Sequence, residues 1–342
     1  MTKRTDMNIL MTTVCFYPHI GGIETVTKYL AEEFVKKGHY VCVLTNTINE
    51  KKDDFPYKVI RKPTIKEVWR EYKRCDVFVH QQISLKYVWP LCLRRKPWVI
   101  VHHGVDLPSG LFGYFKRFLF HFSHNICVSL ATAKGYKLKD YQIINNSFDE
   151  GNFYIIDENR VRKGFAFVGK CSEAKGVRLL ISAFDIFKSK TGSKATLTIV
   201  GDSEERPKIQ KETESLKSYS DISFVGFKSP SEIRNILNNC KYQIIPSIAN
   251  EAFGVVVLEG IACGCIPIGS SGDGIEEAMG DCGFIFKKGD VNSLTRAMEN
   301  AYSLTSDAER SFSEKGKAHL SNFRLSLISD KYIQYFESLL KK

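Results

Sequence analysis

Residues 7–45 read MNILMTTVCFYPHIGGIETVTKYLAEEFVKKGHYVCVLT. The apolar run Met7–Phe16 predicts a buried strand. Gly21-Gly22 predicts a turn. From Glu24 to Lys37 the residues Val26, Tyr29, Leu30 and Phe34 recur at helical spacing, and Gly38 predicts the stop. Tyr40–Thr45 is again rich in β-formers. Strand, helix and strand in immediate succession make a βαβ unit. Its strands run parallel, so its sheet must be covered by helices.

The same alternation continues outward. Asp76–His80, Trp98–His102, Asn125–Ser129 and Tyr141–Ile144 are strand-like and complete a first domain, residues 1–155. The polar stretch SFDEGNFYIIDENRVRK (147–163) predicts a linker. A second series begins at Gly164, with strands predicted at Phe165–Val168, Thr196–Val200, Ile222–Val225, Tyr242–Pro246, Ile266–Gly269 and Gly283–Phe286. Helical patterns, such as Gly176–Lys190 and Pro230–Asn239, lie between them. This second domain spans residues 156–324. A last helix, Leu325–Leu340 within residues 325–342, carries Tyr332, Tyr335, Phe336 and Leu339 at helical spacing. The expected fold is α/β: two doubly wound, Rossmann-like domains with a ligand cleft between them at the carboxyl ends of the strands.

Composition narrows the class. With 342 residues, 43% of them hydrophobic, the chain can bury two cores and is not disordered. A net charge of +11 favours anionic partners: nucleic acid, an acidic membrane surface or a phosphorylated substrate. No nucleic-acid motif accompanies the charge, so nucleic acid is set aside. The ten cysteines are scattered without a C-x-x-C pair, which argues against zinc and disulfides and for a reducing, cytoplasmic compartment. The basic N-terminus precedes a short apolar stretch containing Asn8, Thr12 and Thr13. It ends in Pro-His-Ile-Gly-Gly, so a strand is expected there rather than a signal peptide. No transmembrane helix is expected.

Two loops carry candidate chemistry. After the strand Phe165–Val168 comes GKCSEAKG (169–176), which places Lys170, Lys175 and two glycines at a helix start. Backbone N–H groups, the helix dipole and the lysines favour an anion there. Further on, PSIANEAFGVVVLEG (246–260) ends a strand at Pro246, carries Glu251 to the sheet edge and reaches Gly254 near a helix start. Glu259 follows Glu251 by about two helical turns, on the same face. Two carboxylates there suit a hydroxyl-rich ligand, whereas the plainer alternative pairs Glu259 with a local basic group.

With these motifs in order, the chain resembles the family 4 retaining glycosyltransferases of GT-B fold. FYPHIGGIETVTKYLAEEFVKKGHYVCVLT (16–45) is similar to the family's Gly-Gly opening and VIVHHGVD (99–106) to its histidine loop. FVGKCSEAKG (167–176) resembles the glycine–basic–lysine loop, and PSIANEAFGVVVLEGIACGCIPIGSSGDGIEE (246–277) the E-x7-E segment with its glycine turn. The resemblance implies that Lys170 and Lys175 bind the nucleotide diphosphate, although Lys170 stands where the family usually has Arg. It implies that Gly21 and Gly22 bring backbone near the phosphates and acceptor. Glu251, with the backbone of Phe253, Gly254 and Val255, would lie by the donor sugar, and Glu259 would take the ribose hydroxyls. Gly201 and Phe227 would meet the nucleotide. His103 matches the active-site histidine, with His102 as the neighbouring register, and Glu277 or Glu276 the acidic residue after the glycine turn.

The expected reaction is hexosyl transfer from a nucleotide-diphosphate sugar, UDP- or GDP-linked, to a glycan or lipid-linked acceptor in polysaccharide biosynthesis. Retention is implied by the resemblance. No D-x-D triplet occurs, so the cationic loop is expected to stabilise the leaving diphosphate without a metal or cofactor. The first domain would receive the acceptor. Its stretch GLFGYFKRFLFHFSH (110–124) predicts either an interfacial helix on an anionic membrane or an ordinary core helix. The alternatives are a GT-B epimerase or phosphorylase, a dehydrogenase (disfavoured by the lack of G-x-G-x-x-G) and a non-catalytic sugar-nucleotide module.

Overall fold

The computed structural model describes residues 6–19 and 21–341. Lys3 and Arg4 of the basic N-terminus, and Ile20 of the glycine turn, lie outside the described residues. The chain divides into two compact units, residues 1–147 with 325–342, and residues 148–324.

The first unit holds strands β1 (Asn8–Thr13), β2 (Tyr40–Thr45), β3 (Lys58–Arg61), β4 (Val77–Gln81), β5 (Trp98–His102), β6 (His124–Cys127) and β7 (Gln142–Ile143). They form one sheet in the order β3-β2-β1-β4-β5-β6-β7, with every pairing parallel. The order reverses between β1 and β4, which opens a crevice at their carboxyl ends. β1 stops at Thr13 rather than at the predicted Phe16. There the Thr13 hydroxyl donates to Cys15 O (2.6 Å) and Phe16 N donates to Thr47 Oγ1 (2.9 Å), turning the chain off the ladder. Gly21 is the N-cap of helix Gly22–Lys36, so Gly22 belongs to the helix and not to a turn. The terminal helix Leu325–Leu340 packs on that helix. Phe34 meets the rings of Tyr332 and Phe336 at 6.2 and 6.0 Å, and Lys37 pairs with Asp330 at 2.7 Å.

The second unit holds β8 (Phe165–Val168), β9 (Leu197–Val200), β10 (Ile222–Gly226), β11 (Tyr242–Ile245), β12 (Ile266–Ser270) and β13 (Phe284–Phe286). They also form an all-parallel sheet, in the order β10-β9-β8-β11-β12-β13. Its switch point lies between β8 and β11. Phe165, Phe184, Phe187 and Tyr242 fill the core against helices Val177–Thr191 and Val291–Tyr302. Each of these large side chains is almost fully desolvated and contributes about 1.5–3 kcal/mol. The stretch expected to link the domains forms no helix or strand from 148 to 163. It belongs to the second unit, anchored by the buried Phe148 and Phe153 and by Asn238, whose amide donates to Tyr154 O (3.0 Å).

Eight of the ten cysteines are buried. Burial pushes the thiols of Cys42, Cys75, Cys127, Cys240 and Cys263 up to about 12, so they pack as small apolar groups. No described helix is long and apolar enough to cross a membrane.

Candidate active site

The switch point of the second sheet assembles the two candidate loops. The loop after β8 runs to Gly176, the N-cap of helix Val177–Thr191, and the loop after β11 runs to Gly254, the N-cap of helix Val255–Ala262. The loops are joined through backbone: Ile248 N and Ala249 N both donate to Ala174 O, at 3.0 and 2.9 Å. Gly176 has φ +71°, and a Cβ there would lie 1.9 Å from Pro246 O, so any side chain would drive the loops apart. Gly201, with φ +127°, is equally constrained, since its Cβ would meet Gly169 O at 1.8 Å.

This packing brings Lys175 to Glu251. The Lys175 ammonium donates to Glu251 Oε1, and Ser247 Oγ donates to the same oxygen at 2.7 Å. Lys170 stands on the exposed side of the same loop. Both lysines belong to the loop that leads into helix Val177–Thr191, whose N-terminal dipole also favours an anion.

Residues outside the predicted set hold Glu251 in place. Asp273 Oδ2 accepts from Glu251 N (3.0 Å), while Asp273 Oδ1 caps the following helix through Ile275 N (3.1 Å). Lys288 then donates to Asp273 Oδ2 at 2.5 Å and to Asn250 Oδ1 at 3.2 Å. The Asp-Gly pair before a helical pattern was the only local signal for Asp273. Nothing local marked Ser247 or Lys288.

Glu259 projects from helix Val255–Ala262. Glu251 lies outside that helix, so the two carboxylates do not share a helical face as the spacing predicted. The Gly254 turn, with φ +86°, stands between them in the chain. No described residue forms a salt bridge with Glu259 or donates a hydrogen bond to it, which removes the local-pair alternative. Burial first, and the Asp149 carboxylate second, push the Glu259 carboxyl up to about 7. It is a partly desolvated acceptor pair without a protein donor.

The other predicted residues separate by exposure. The Phe253 ring is buried against Phe323 (5.6 Å), which leaves only its backbone for a ligand. Val255 opens the helix. Phe227, 68% exposed, stands beyond the end of β10. Glu276 closes the glycine turn by accepting from Gly272 N (2.8 Å), and Glu277 sits half-buried in helix Gly274–Met279.

In the first unit the paired histidines part company. His102 is the last residue of β5 and its side chain turns inward. Its Nε2 lies 2.9 Å from Asn125 Oδ1, and its ring packs on Phe120 and Tyr136 at 4.7 and 4.6 Å. Burial holds it neutral, down to about 4. His102 is therefore a core histidine, and the alternative register is withdrawn. His103 stands just past the strand, half-buried. Its Nε2 lies 2.7 Å from Gln81 Oε1, an acceptor, so Nε2 carries the proton and Nδ1 is left as an acceptor. Burial, then the neighbouring His102, push His103 down to about 3. Gly21 and Gly22 present the N-terminus of helix Gly22–Lys36 after β1. No described group of His, Cys, Asp or Glu has the geometry of a metal centre.

Comparison with known proteins identifies the family and the fold. Residues 20–146 match the sequence family Glycosyltransferase Family 4, and residues 154–319 match Glycosyl transferases group 1. An uncharacterized glycosyltransferase of Methanocaldococcus jannaschii is 27% identical, covering 93% of this chain and 94% of its own length. Among solved structures, a glycosyltransferase from Rickettsia africae superposes with TM-score 0.81 at 16% identity, covering 98% of this chain and 99% of its own. HepE from Anabaena, solved with UDP and glucose, superposes with TM-score 0.78 at 17% identity, covering 97% of this chain and all of its own. Each unit has the Rossmann-like architecture of these GT-B structures. The chain belongs to the glycosyltransferases, to family 4 over its first half and to group 1 over its second.

Proposed function

We propose that this enzyme moves a hexose from a nucleoside-diphosphate sugar, UDP- or GDP-linked, to a glycan or lipid-linked acceptor, with retention at the anomeric carbon and without a metal. The observation that carries the donor half is the meeting of Lys175 and Glu251 at the helix N-terminus, with Glu259 unpartnered on the next helix. The diphosphate lies at the N-terminus of helix Val177–Thr191 and draws Lys175, with Lys170, onto its oxygens. That exchange frees Glu251 to accept hydroxyls of the sugar, while Glu259 accepts the ribose diol. Ser247, Asp273 and Lys288 keep the Glu251 backbone and carboxylate aimed. Phe227 and the Gly201 turn flank the base. In the first unit, neutral His103 offers Nδ1 to a hydroxyl, and the Gly21-Gly22 helix end offers N–H groups. UDP and glucose in the HepE structure are in line with this donor class.

A thermal-shift screen of UDP-, GDP- and ADP-sugars tests the donor reading. The true donor, at about a hundredfold over its Kd, adds about 2.7 kcal/mol to native stability and raises Tm by several degrees. If none of these donors shifts Tm, the reading is wrong.

The acceptor side rests on a second observation. Helix Gly110–Leu119 buries only Gly113 among its residues. Leu111, Phe112, Tyr114, Phe115 and Phe118 are exposed, as is Phe122 beyond it, and Leu111 reaches 83%. This is not the ordinary core helix weighed above. Lys116 and Arg117 lie within the aromatic set, with Arg117 stacked near Tyr114 at 5.7 Å. Apolar rings with interleaved cations suit the headgroup layer of an anionic bilayer, which supports the reading of a peripheral enzyme on the inner face of the membrane. In a flotation assay, the Phe112→Ser/Phe115→Ser/Phe118→Ser variant is expected to lose most of its binding to phosphatidylglycerol vesicles at low salt. Equal flotation of the two proteins would defeat the membrane reading.

A further inference from the structure

The second unit has a cavity of about 430 Å³ at the edge of the sheet opposite the candidate active site. Lys241 and Ile266 mark the amino ends of β11 and β12, whereas the loops carrying Lys175 and Glu251 follow the carboxyl ends of β8 and β11. The segment 155–162 forms one wall and helix Ser306–Leu320 the other.

The charge of this cavity is uneven. Arg160, Arg162, Lys241, Arg310 and Lys317 line it, against the acids Glu158 and Glu309. Lys241 pairs with Glu309, and Lys317 pairs with Glu158 at 3.0 Å. Arg310 lies 3.7 Å from Asp307 on the exposed rim. Among the described residues no ion pair holds Arg160 or Arg162, and of these two it is Arg162 whose donors are shut in. Its Nε and Nη2 are buried with no hydrogen-bond partner. Its guanidinium lies so close to Gly264 that a Cβ there would come within 2.7 Å of it. Such buried, idle donors are costly, and since neither has surface open to the cavity, an acceptor reaches them only when the Arg162 side chain turns toward it. A planar fork of this kind is matched by a phosphate or carboxylate.

We propose that this cavity is a second anion site, built for a small soluble phosphorylated ligand whose phosphate accepts from Arg162 and is flanked by Arg160 and Arg310. The volume is enough for a sugar phosphate, and Ile155, Ile261 and Phe312 supply an apolar wall for the remainder. The proposal is independent of the donor reading, because it uses none of the same residues.

Isothermal titration with inorganic phosphate, at ionic strength held constant with sodium chloride, tests it. The Lys170→Ala/Lys175→Ala variant removes the cations of the other anion-binding loop. It is expected to retain saturable phosphate binding, with a Kd below about 10 mM. Arg162→Gln in that background is expected to weaken binding by about tenfold or more. If Arg162→Gln fails to fold, the rim pair Arg160→Gln/Arg310→Gln is expected to give a weaker loss of the same sign. Absence of saturable binding in the lysine variant overturns the proposal, as does binding indifferent to both arginine changes. Arg162-dependent capture by phosphatidylglycerol vesicles without binding of free phosphate also overturns it, since a lipid headgroup would then be the ligand.

Discussion

Replacing Lys175 by alanine is expected to lower kcat by about a hundred- to a thousandfold, while leaving the melting temperature within a few degrees of wild type. Transfer requires negative charge to build on the departing diphosphate, and a fixed cation at that point stabilises the transition state more than the bound donor. In the proposed reading, Lys175 is the cation at that point. Its present partner is Glu251, and the two side chains are 36% and 19% exposed, so the pair adds at most about 1 kcal/mol to folding. Activity and stability should therefore separate. Steady-state kinetics with the donor found in the thermal screen, together with a melt of each protein, measures both. A loss below tenfold would remove Lys175 from leaving-group stabilisation. Lys170→Ala, altering a more solvated group, should cost less.

The second large effect lies at Glu259 and changes sign with pH. Its carboxyl is raised from the ordinary 4.5 to about 7, by burial first and then by Asp149. The folded state thus holds the proton more tightly than the unfolded chain. Its stabilising contribution is complete below about pH 4.5, declines as pH rises and is gone above about pH 7. Above that point the partly desolvated carboxylate costs the fold about 3 kcal/mol, from the usual conversion of such a shift. Glu259→Gln is expected to gain that stability at pH 8 and almost none at pH 4.5. It is also expected to bind the donor about ten- to a hundredfold more weakly, having lost a charged acceptor for two hydroxyls. Wild-type donor affinity should fall in parallel as pH drops below about 7. Denaturant melts at both pH values, with donor titrations alongside, decide it. A Gln variant less stable than wild type at pH 8 would refute the account of Glu259 as a group kept charged for function at a cost to the fold.

The parallel sheets were legible in the sequence because their strands are short apolar runs separated by helical periods and punctuated by glycine. Strand β3 was not. Its four residues, KVIR, bury only Ile60, so neither alternation nor an apolar run marks it, and only pairing with β2 makes it a strand. The second compact unit begins at 148 and not after 155, for a related reason. Phe148 and Phe153 are buried anchors set in an otherwise polar stretch, and the surrounding charges hid them. At the site, helix starts and glycines announced the loops, but the partnerships did not show. Lys175 and Glu251 are separated by 76 positions, and His103 and Gln81 by 22; each pair meets only because two parallel strands end side by side. His102 and His103 could not be distinguished by local pattern. Which of them turns inward depends on where β5 ends and on the Asn125, Phe120 and Tyr136 cage waiting on the neighbouring elements.

The backbone contact at Gly176 bears on how such an enzyme can be re-engineered. Since Pro246 O occupies the space a Cβ would need, and Ala174 O takes two N–H groups from residues 248 and 249, the two loops behave as one cast part. A chimera that borrows only the 246–254 segment from a relative of different donor preference would set a foreign carbonyl against an unmatched turn. Residues 169–176 and 246–254 should be grafted together, as a cassette, with the Asp273–Lys288 brace carried along to keep the transplanted glutamate in aim.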